Sequence, residues 1–176
     1  LREPFYPAEG ETFGYSENIK LIEEEENEFL LTSKQIEKFR NELSQFEKIL
    51  VVVGQHKPDS ALIIALNQFQ QATNAVVVGD IIANTHLLEQ AIRHQDTTLT
   101  KGFSNFESLR PDLVITLGKS VLSKNLKLFL RDHKPQQHWH LQQAGPVADT
   151  FQTLTKIIRV NPTHFLEKVS PALQKI

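Results

Sequence analysis

Apolar positions along this chain fall into two rhythms. Three runs carry no polar alternation and each closes on a glycine: Ile49-Leu50-Val51-Val52-Val53-Gly54, Ala75-Val76-Val77-Val78-Gly79 and Asp112-Leu113-Val114-Ile115-Thr116-Leu117-Gly118. A strand with no polar side is covered on both faces, as in the centre of a parallel sheet flanked by helices. Between the runs, apolar residues recur at spacings of three and four. Ile36, Phe39, Leu43 and Phe46 form one such set, and Leu62, Ile63, Leu66 and Phe69 a second. Leu122, Leu126, Phe129 and Leu130 form a third. Each set makes one apolar face of a helix.

The pattern predicts strands over 48–54, 75–79, 112–117, 138–141 and 157–160. It predicts helices starting at the Thr32-Ser33 cap and running over about 58–71, 87–94 and 122–132. A last helix opens at Asn161-Pro162, with proline in its first turn. Residues 96–108 are ambiguous and accommodate one short helix. The resulting fold class is α/β: a Rossmann-like three-layer domain over 32–176, with a mostly parallel sheet and helices on both faces. The glycines mark the carboxyl ends of the strands, where such sheets place ligands.

Residues 1–31 read differently, as an extended arm or interdomain linker. Arg2-Glu3-Pro4-Phe5-Tyr6-Pro7 holds two prolines and no periodicity. The acidic run at 23–26, with Glu28, reads as a solvated segment, because a cation site needs carboxylates converging from several directions.

Composition removes several functions. A length of 176 residues suits one full domain. A net charge of −2 gives no reason to expect a nucleic-acid partner. No apolar run reaches the ~18–20 residues of a membrane span. With no cysteine, disulfides, zinc thiolates and thiol catalysis are excluded within these residues. A reducing compartment fits, and the cytoplasm is the expected location. The first residue is Leu1 and methionine is absent, so a piece of a longer protein is expected.

Candidate chemistry is sparse. Gly54-Gln55-His56-Lys57-Pro58 sits where a dinucleotide loop would sit, but has one glycine where G-x-G-x-x-G needs three. Gly118-Lys119-Ser120 resembles the tail of a P-loop, yet the upstream glycine position holds Leu113. His138 and His140 share one face of a strand, where two surface histidines without a third ligand are the ordinary reading. Lys124, with Ser123 and Asn125 beside it, lies one turn into the helix that follows the third strand. A helix amino end attracts anions, and a lysine there adds charge for a carboxylate. On spacing alone, a solvated lysine remains the ordinary alternative.

Six motifs in order add a family resemblance. They are Arg2-Glu3-Pro4-Phe5-Tyr6-Pro7, Val51-Val52-Val53-Gly54, Val78-Gly79-Asp80, Ala91-Ile92-Arg93-His94-Gln95-Asp96, Pro111-Asp112-Leu113-Val114-Ile115 and Ser123-Lys124. Asp149 and Thr155 also fall where the family keeps those residue types. From Arg2 to about Ile158 the chain resembles the central domain of the 2-succinyl-5-enolpyruvyl-6-hydroxy-3-cyclohexene-1-carboxylate synthases of menaquinone biosynthesis. The resemblance implies a three-domain thiamine-diphosphate enzyme that decarboxylates 2-oxoglutarate and adds the succinyl unit to isochorismate.

The same resemblance implies that thiamine diphosphate and Mg²⁺ are bound by the amino- and carboxyl-terminal domains of the full-length protein, which is expected to be a homo-oligomer. Gly79-Asp80 is followed by Ile81 rather than glycine, so it is not the family's cofactor motif. No catalytic residue, cofactor ligand or metal ligand is expected in this chain, which alone should be inactive. Its expected role is structural, with Lys124, Ser123 and Asn125 lending one wall of the substrate site. The family's arginine beside the lysine is replaced by Asn125, which removes a bidentate carboxylate clamp. Two rivals remain at this point: the FAD- or ADP-binding middle domain of an acetolactate-synthase-like enzyme, and a stand-alone nucleotide-binding module.

Overall fold

The computed structural model describes residues 22–25, 30–100 and 105–172. The Arg2–Pro7 motif lies outside them, as do Glu26 and Glu28 of the acidic run. The elements in chain order are β1 (Glu23–Glu25), α1 (Ser33–Leu43), β2 (Ile49–Val53), α2 (Ser60–Thr73), β3 (Val76–Gly79), α3 (Gln95–Thr98), β4 (Leu113–Leu117), α4 (Lys124–Asp132), β5 (Gln137–Leu141), β6 (Lys156–Ile158) and α5 (Pro162–Val169). Short 3₁₀ turns lie at Ile81–Ala83, Phe106–Leu109 and Ser170–Ala172.

All strand pairs are parallel, in the order β1-β6-β5-β4-β2-β3. The all-parallel sheet with helices on both faces makes the α/β, Rossmann-like reading correct. The chain leaves β2 for β3 on one side, then crosses back to β4 on the other. That reversal, between β2 and β4, is where an open α/β sheet has its ligand crevice. Asp112 sets the register at the opposite edge. Its Oδ2 accepts from the N–H of Glu47 (3.1 Å) and of Lys48 (2.9 Å), so β2 and β4 start level.

Helix starts follow their caps. Thr32 and Gln35 exchange bonds as a capping box before α1. Asp59 accepts from Ala61 and Leu62 N–H at α2, and Asn161 accepts from His164 N–H ahead of Pro162 at α5. Side chains alternate between faces along each strand. Val51, Val53, Leu113, Ile115, Leu117, Trp139 and Leu141 join α1, α2 and α5 in one core. Val52, Val78 and Val114 join α4 and Phe151 in a smaller one.

Several expectations need correction. Residues 87–94 are not a helix. Ile92 instead forms a parallel bridge with Val78: its N–H donates to Val77 O (2.8 Å), and its carbonyl accepts from Gly79 N–H (3.2 Å). The apolar spacing there was too short to bury a face, since Leu88 is buried while Leu87 is 65% exposed. Among the described residues, the ambiguous stretch 96–108 overlaps two short pieces, α3 and the turn at Phe106–Leu109. Leu122 faces outward, because it precedes the cap of α4 and has no helical face to share. The acidic run is solvated at Glu23 and Glu24, and Glu23–Glu25 is also the outermost strand.

Candidate functional site: the carboxyl edge of the sheet

The crevice between β2 and β4 is shut by backbone. Gly54 N–H donates to Leu117 O (2.8 Å), Gln55 N–H to Ser120 O (2.8 Å) and Lys119 N–H to Gln55 O (2.9 Å). A Cβ on Gly54 would collide with the Lys119 carbonyl, and Gly118 adopts φ +79, which favours glycine. A third loop joins them: His56 N–H donates to Ile82 O (3.1 Å) and Asn84 Nδ2 to His56 O (2.7 Å). These amides have partners inside the chain, so they do not form a cradle for a nucleotide diphosphate. Gly54 and Gly118 are there to let two loops touch.

Asp80 follows Gly79 and carries the next layer. Its Oδ2 accepts from Leu122 N–H (2.5 Å) and Ser123 N–H (3.2 Å), and its Oδ1 accepts from Gln95 Nε2 (2.5 Å). Asp96 adds a second clamp: its Oδ1 accepts from the Ser123 hydroxyl (2.8 Å) and from Asn125 N–H (3.3 Å). Asn125 Nδ2 donates back to Asp96 O (3.2 Å). Ser123 Oγ itself accepts from Leu126 N–H (3.0 Å), as the cap of α4.

The predicted trio therefore divides. Ser123 is buried, with hydroxyl and amide both engaged. Asn125 is half-buried and bound to Asp96. Lys124 is exposed as the first residue of α4, not one turn into it. Most of the orphan N–H groups expected to attract an outside anion already face Asp80, Asp96 and Ser123. Exposed ammonium groups at this edge include Lys124, Lys119 after β4 and Lys57 after β2.

His138 and His140 do share a face, but His138 is not on the surface; it is 2% exposed. β5 is an interior strand between β4 and β6, so both of its faces are covered. The hydrogen bonds orient both rings. Gln142 Nε2 donates to Ala144 O (2.5 Å), which leaves its Oε1 to accept from His140 Nε2 (3.0 Å). His140 Nδ1 then accepts from the Thr116 hydroxyl (2.8 Å), and Thr116 Oγ1 accepts from His138 Nε2 (2.9 Å). His138 Nδ1 accepts from the Thr153 hydroxyl (2.9 Å). Burial pushes the His140 pKa down, and the Arg159 charge adds to this against the Gln142 bond. A neutral ring fits that chain.

Other motif residues are also clamps. The Arg93 guanidinium donates to His86 O (2.9 Å) and Leu88 O (2.7 Å), holding the turn that replaces the expected helix. Asp149 Oδ1 accepts from Thr153 N–H (3.0 Å) and Leu154 N–H (3.2 Å). Thr155 Oγ1 donates to His138 O (2.9 Å) and accepts from His138 N–H (2.9 Å), joining β6 to β5. Asp80, Gln95, Asp96 and Thr116 were not singled out as site residues. Nothing in their spacing marks them, because their partners lie between 15 and 43 residues away in sequence.

Among the described residues, no three His, Cys, Asp or Glu side chains are grouped to hold a metal ion. Asp80 is occupied with amide donors, so its carboxylate does not suit Mg²⁺, and the closed crevice does not suit a cofactor diphosphate. Among the described residues, no helix is long and apolar enough to cross a membrane.

Comparison with known proteins fits this arrangement. Residues 16–176 match the family described as "Middle domain of thiamine pyrophosphate". A 2-succinyl-5-enolpyruvyl-6-hydroxy-3-cyclohexene-1-carboxylate synthase of Cytophaga hutchinsonii is 35% identical over 98% of this chain and 30% of its own length. The synthase of Flavobacterium psychrophilum is 31% identical over 92% of this chain and 29% of its own. That of Bacteroides thetaiotaomicron is 46% identical over 65 residues, 37% of this chain and 12% of its own. The chain spans about 30% of the length of the curated relatives that it matches along nearly all of itself. It belongs to the family of thiamine pyrophosphate enzyme middle domains.

Proposed function

We propose that the chain is the middle domain of a 2-succinyl-5-enolpyruvyl-6-hydroxy-3-cyclohexene-1-carboxylate synthase, with its carboxyl edge forming one wall of the substrate site. The observation that carries this is likeness to named synthases along 98% of the chain. The whole protein would decarboxylate 2-oxoglutarate and add the succinyl unit to isochorismate, in the cytoplasm and as a homo-oligomer. Thiamine diphosphate and Mg²⁺ would be held by the amino- and carboxyl-terminal domains. The cofactor supplies the carbanion chemistry when bound; the residues of this chain position and attract.

The substrate-facing residue is Lys124. Its place at the first position of α4, behind a helix start locked by Asp80 and Asp96, supports this reading. Ser123 and Asn125 act as positioning residues, holding Lys124 through their bonds to Asp96. The lysine ammonium would pair with a substrate carboxylate, a contact worth about 1.5–3 kcal/mol. The backbone closure between Gln55, Lys119 and Ser120 favours this role over nucleotide binding.

Turnover tests it. The full-length protein should consume 2-oxoglutarate and isochorismate with thiamine diphosphate and Mg²⁺; failure with both substrates would overturn the synthase reading. Residues 1–176 alone should show none, and turnover there would sink the domain assignment. Saturating ADP, FAD or NAD should leave the melting midpoint unmoved. A ligand at 100 times its Kd would stabilise by about 2.7 kcal/mol, and such a rise with ADP or FAD would favour the acetolactate-synthase-like rival.

A further inference from the structure

Lys124 stands between two residues that both bond to Asp96. The Ser123 hydroxyl donates to Asp96 Oδ1 (2.8 Å) and so does the Asn125 N–H (3.3 Å), while Asn125 Nδ2 donates to the Asp96 carbonyl (3.2 Å). Asp96 is also anchored through its neighbour. Gln95 is buried and donates to Asp80 Oδ1 (2.5 Å), and Asp80 Oδ2 accepts from the N–H groups of Leu122 and Ser123. A carboxylate held this way does not turn freely, so its geometry is set before a ligand arrives.

One oxygen is left over. Among the described residues, no group donates to Asp96 Oδ2, and Asp96 forms no ion pair with Lys124. Both residues are exposed. The α3–α4 corner therefore offers an ammonium group and a bare carboxylate oxygen. Two apolar side chains are bare on the same edge. Ile81, 90% exposed, follows Asp80, and Leu122, 58% exposed, is a residue whose N–H reaches the Asp80 carboxylate. Exposed carbon beside one donor and one acceptor suits a ligand with carbon faces, an acid and a hydroxyl.

The two proposed substrates differ in this respect. 2-Oxoglutarate has two carboxylates and a ketone, with no hydroxyl and no ring. The product that names the relatives carries a 6-hydroxy group beside the 1-carboxylate of its ring, and isochorismate supplies that ring. We infer that Asp96 is a substrate-binding residue, whose Oδ2 accepts the ring hydroxyl while Lys124 holds the neighbouring ring carboxylate. This rests on the synthase reading and assigns the α3–α4 corner to the ring-bearing substrate. A carboxylate that accepts an O–H makes a strong, charge-assisted bond and repels a carboxylate brought to the same place, so Asp96 also turns 2-oxoglutarate away.

The test uses the full-length protein with thiamine diphosphate and Mg²⁺. Asp96→Asn keeps an oxygen for Ser123 and Asn125 and puts an NH₂ group where the free oxygen was. Its apparent KM for isochorismate should rise about ten-fold or more, with the KM for 2-oxoglutarate within about two-fold and the melting midpoint unmoved. The parent protein gives a second reading that needs no variant. An isochorismate analogue with hydrogen in place of the ring hydroxyl should compete about ten-fold more weakly than isochorismate itself, and Asp96→Asn should treat the two alike within about two-fold. Equal affinity of the parent for both compounds, an unchanged isochorismate KM in Asp96→Asn, or equal rises in both KM values would each overturn the inference. A parent that turns over neither substrate would overturn the synthase reading and this inference with it, so the two failures are told apart.

Discussion

One face of the sheet is held by packing and the other by hydrogen-bonded side chains. On the first, the strands, their flanking loops and α1, α2 and α5 together bury 24 apolar residues in one core among those described, with Phe39 set edge-on to Trp139 and Phe165 at 5.9 and 5.1 Å. On the second, seven buried apolar residues gather around α4. Beside them Thr116 bonds to both His138 and His140 on one half, and Gln95 bonds to Asp80 on the other. The first face is interchangeable apolar bulk, which tolerates redesign provided volume is kept. The second depends on named donors and acceptors, such as Thr116 with His140 and Asp80 with Ser123. It is also the face whose elements, α3 and α4, set the carboxyl edge where Lys124 stands.

Substitutions can break that contrast. Phe39→Ala, fully buried in the first core, should cost about 4 kcal/mol in denaturant unfolding, through lost transfer energy and an unfilled cavity. Asp80→Ala should cost about 3 kcal/mol, because it strands the N–H groups of Leu122 and Ser123 and the Gln95 amide. Phe129→Ala should cost less, about 2 kcal/mol, since its ring already borders a void and has fewer contacts to lose. Should Phe129→Ala exceed Asp80→Ala, the second face is held by packing after all.

The smallest effect is a pH dependence. Burial lowers the pKa of His140 in the folded state below its ordinary value near 6.5. The unfolded chain then binds more protons than the folded one as pH falls through that value. Stability should therefore be full above it and decline below it. His140→Gln should flatten the melting midpoint between about pH 7.5 and 5.5 relative to the parent. An unchanged slope would remove His140 from the account.

Much of the fold was legible because burial on two faces leaves a direct mark. Val51, Val77 and Ile115 are fully buried, and the runs around them announced parallel strands. The 87–94 segment was misread because Leu88 and Ala91 mimic a helical face, while a backbone bridge from Ile92 to Val78 leaves no trace in side-chain spacing. His138 was placed at the surface because strand order cannot be read locally; β6 and β1 beyond it make β5 interior. The site was less legible than the fold. Ser123, Lys124 and Asn125 were named as candidates from the start of a helix, but the carboxylates that hold Ser123 and Asn125, Asp80 and Asp96, come from two other segments.

The central claim is that this edge faces a carboxylate substrate, and Lys124→Ala in the full-length protein tests it most directly. With thiamine diphosphate and Mg²⁺ present, the apparent KM for 2-oxoglutarate or isochorismate should rise about ten-fold or more while the melting midpoint holds, because Lys124 is exposed and makes no internal bond among the described residues. Unchanged KM values for both substrates at normal stability would contradict the claim and leave the chain a scaffold with no part in the site.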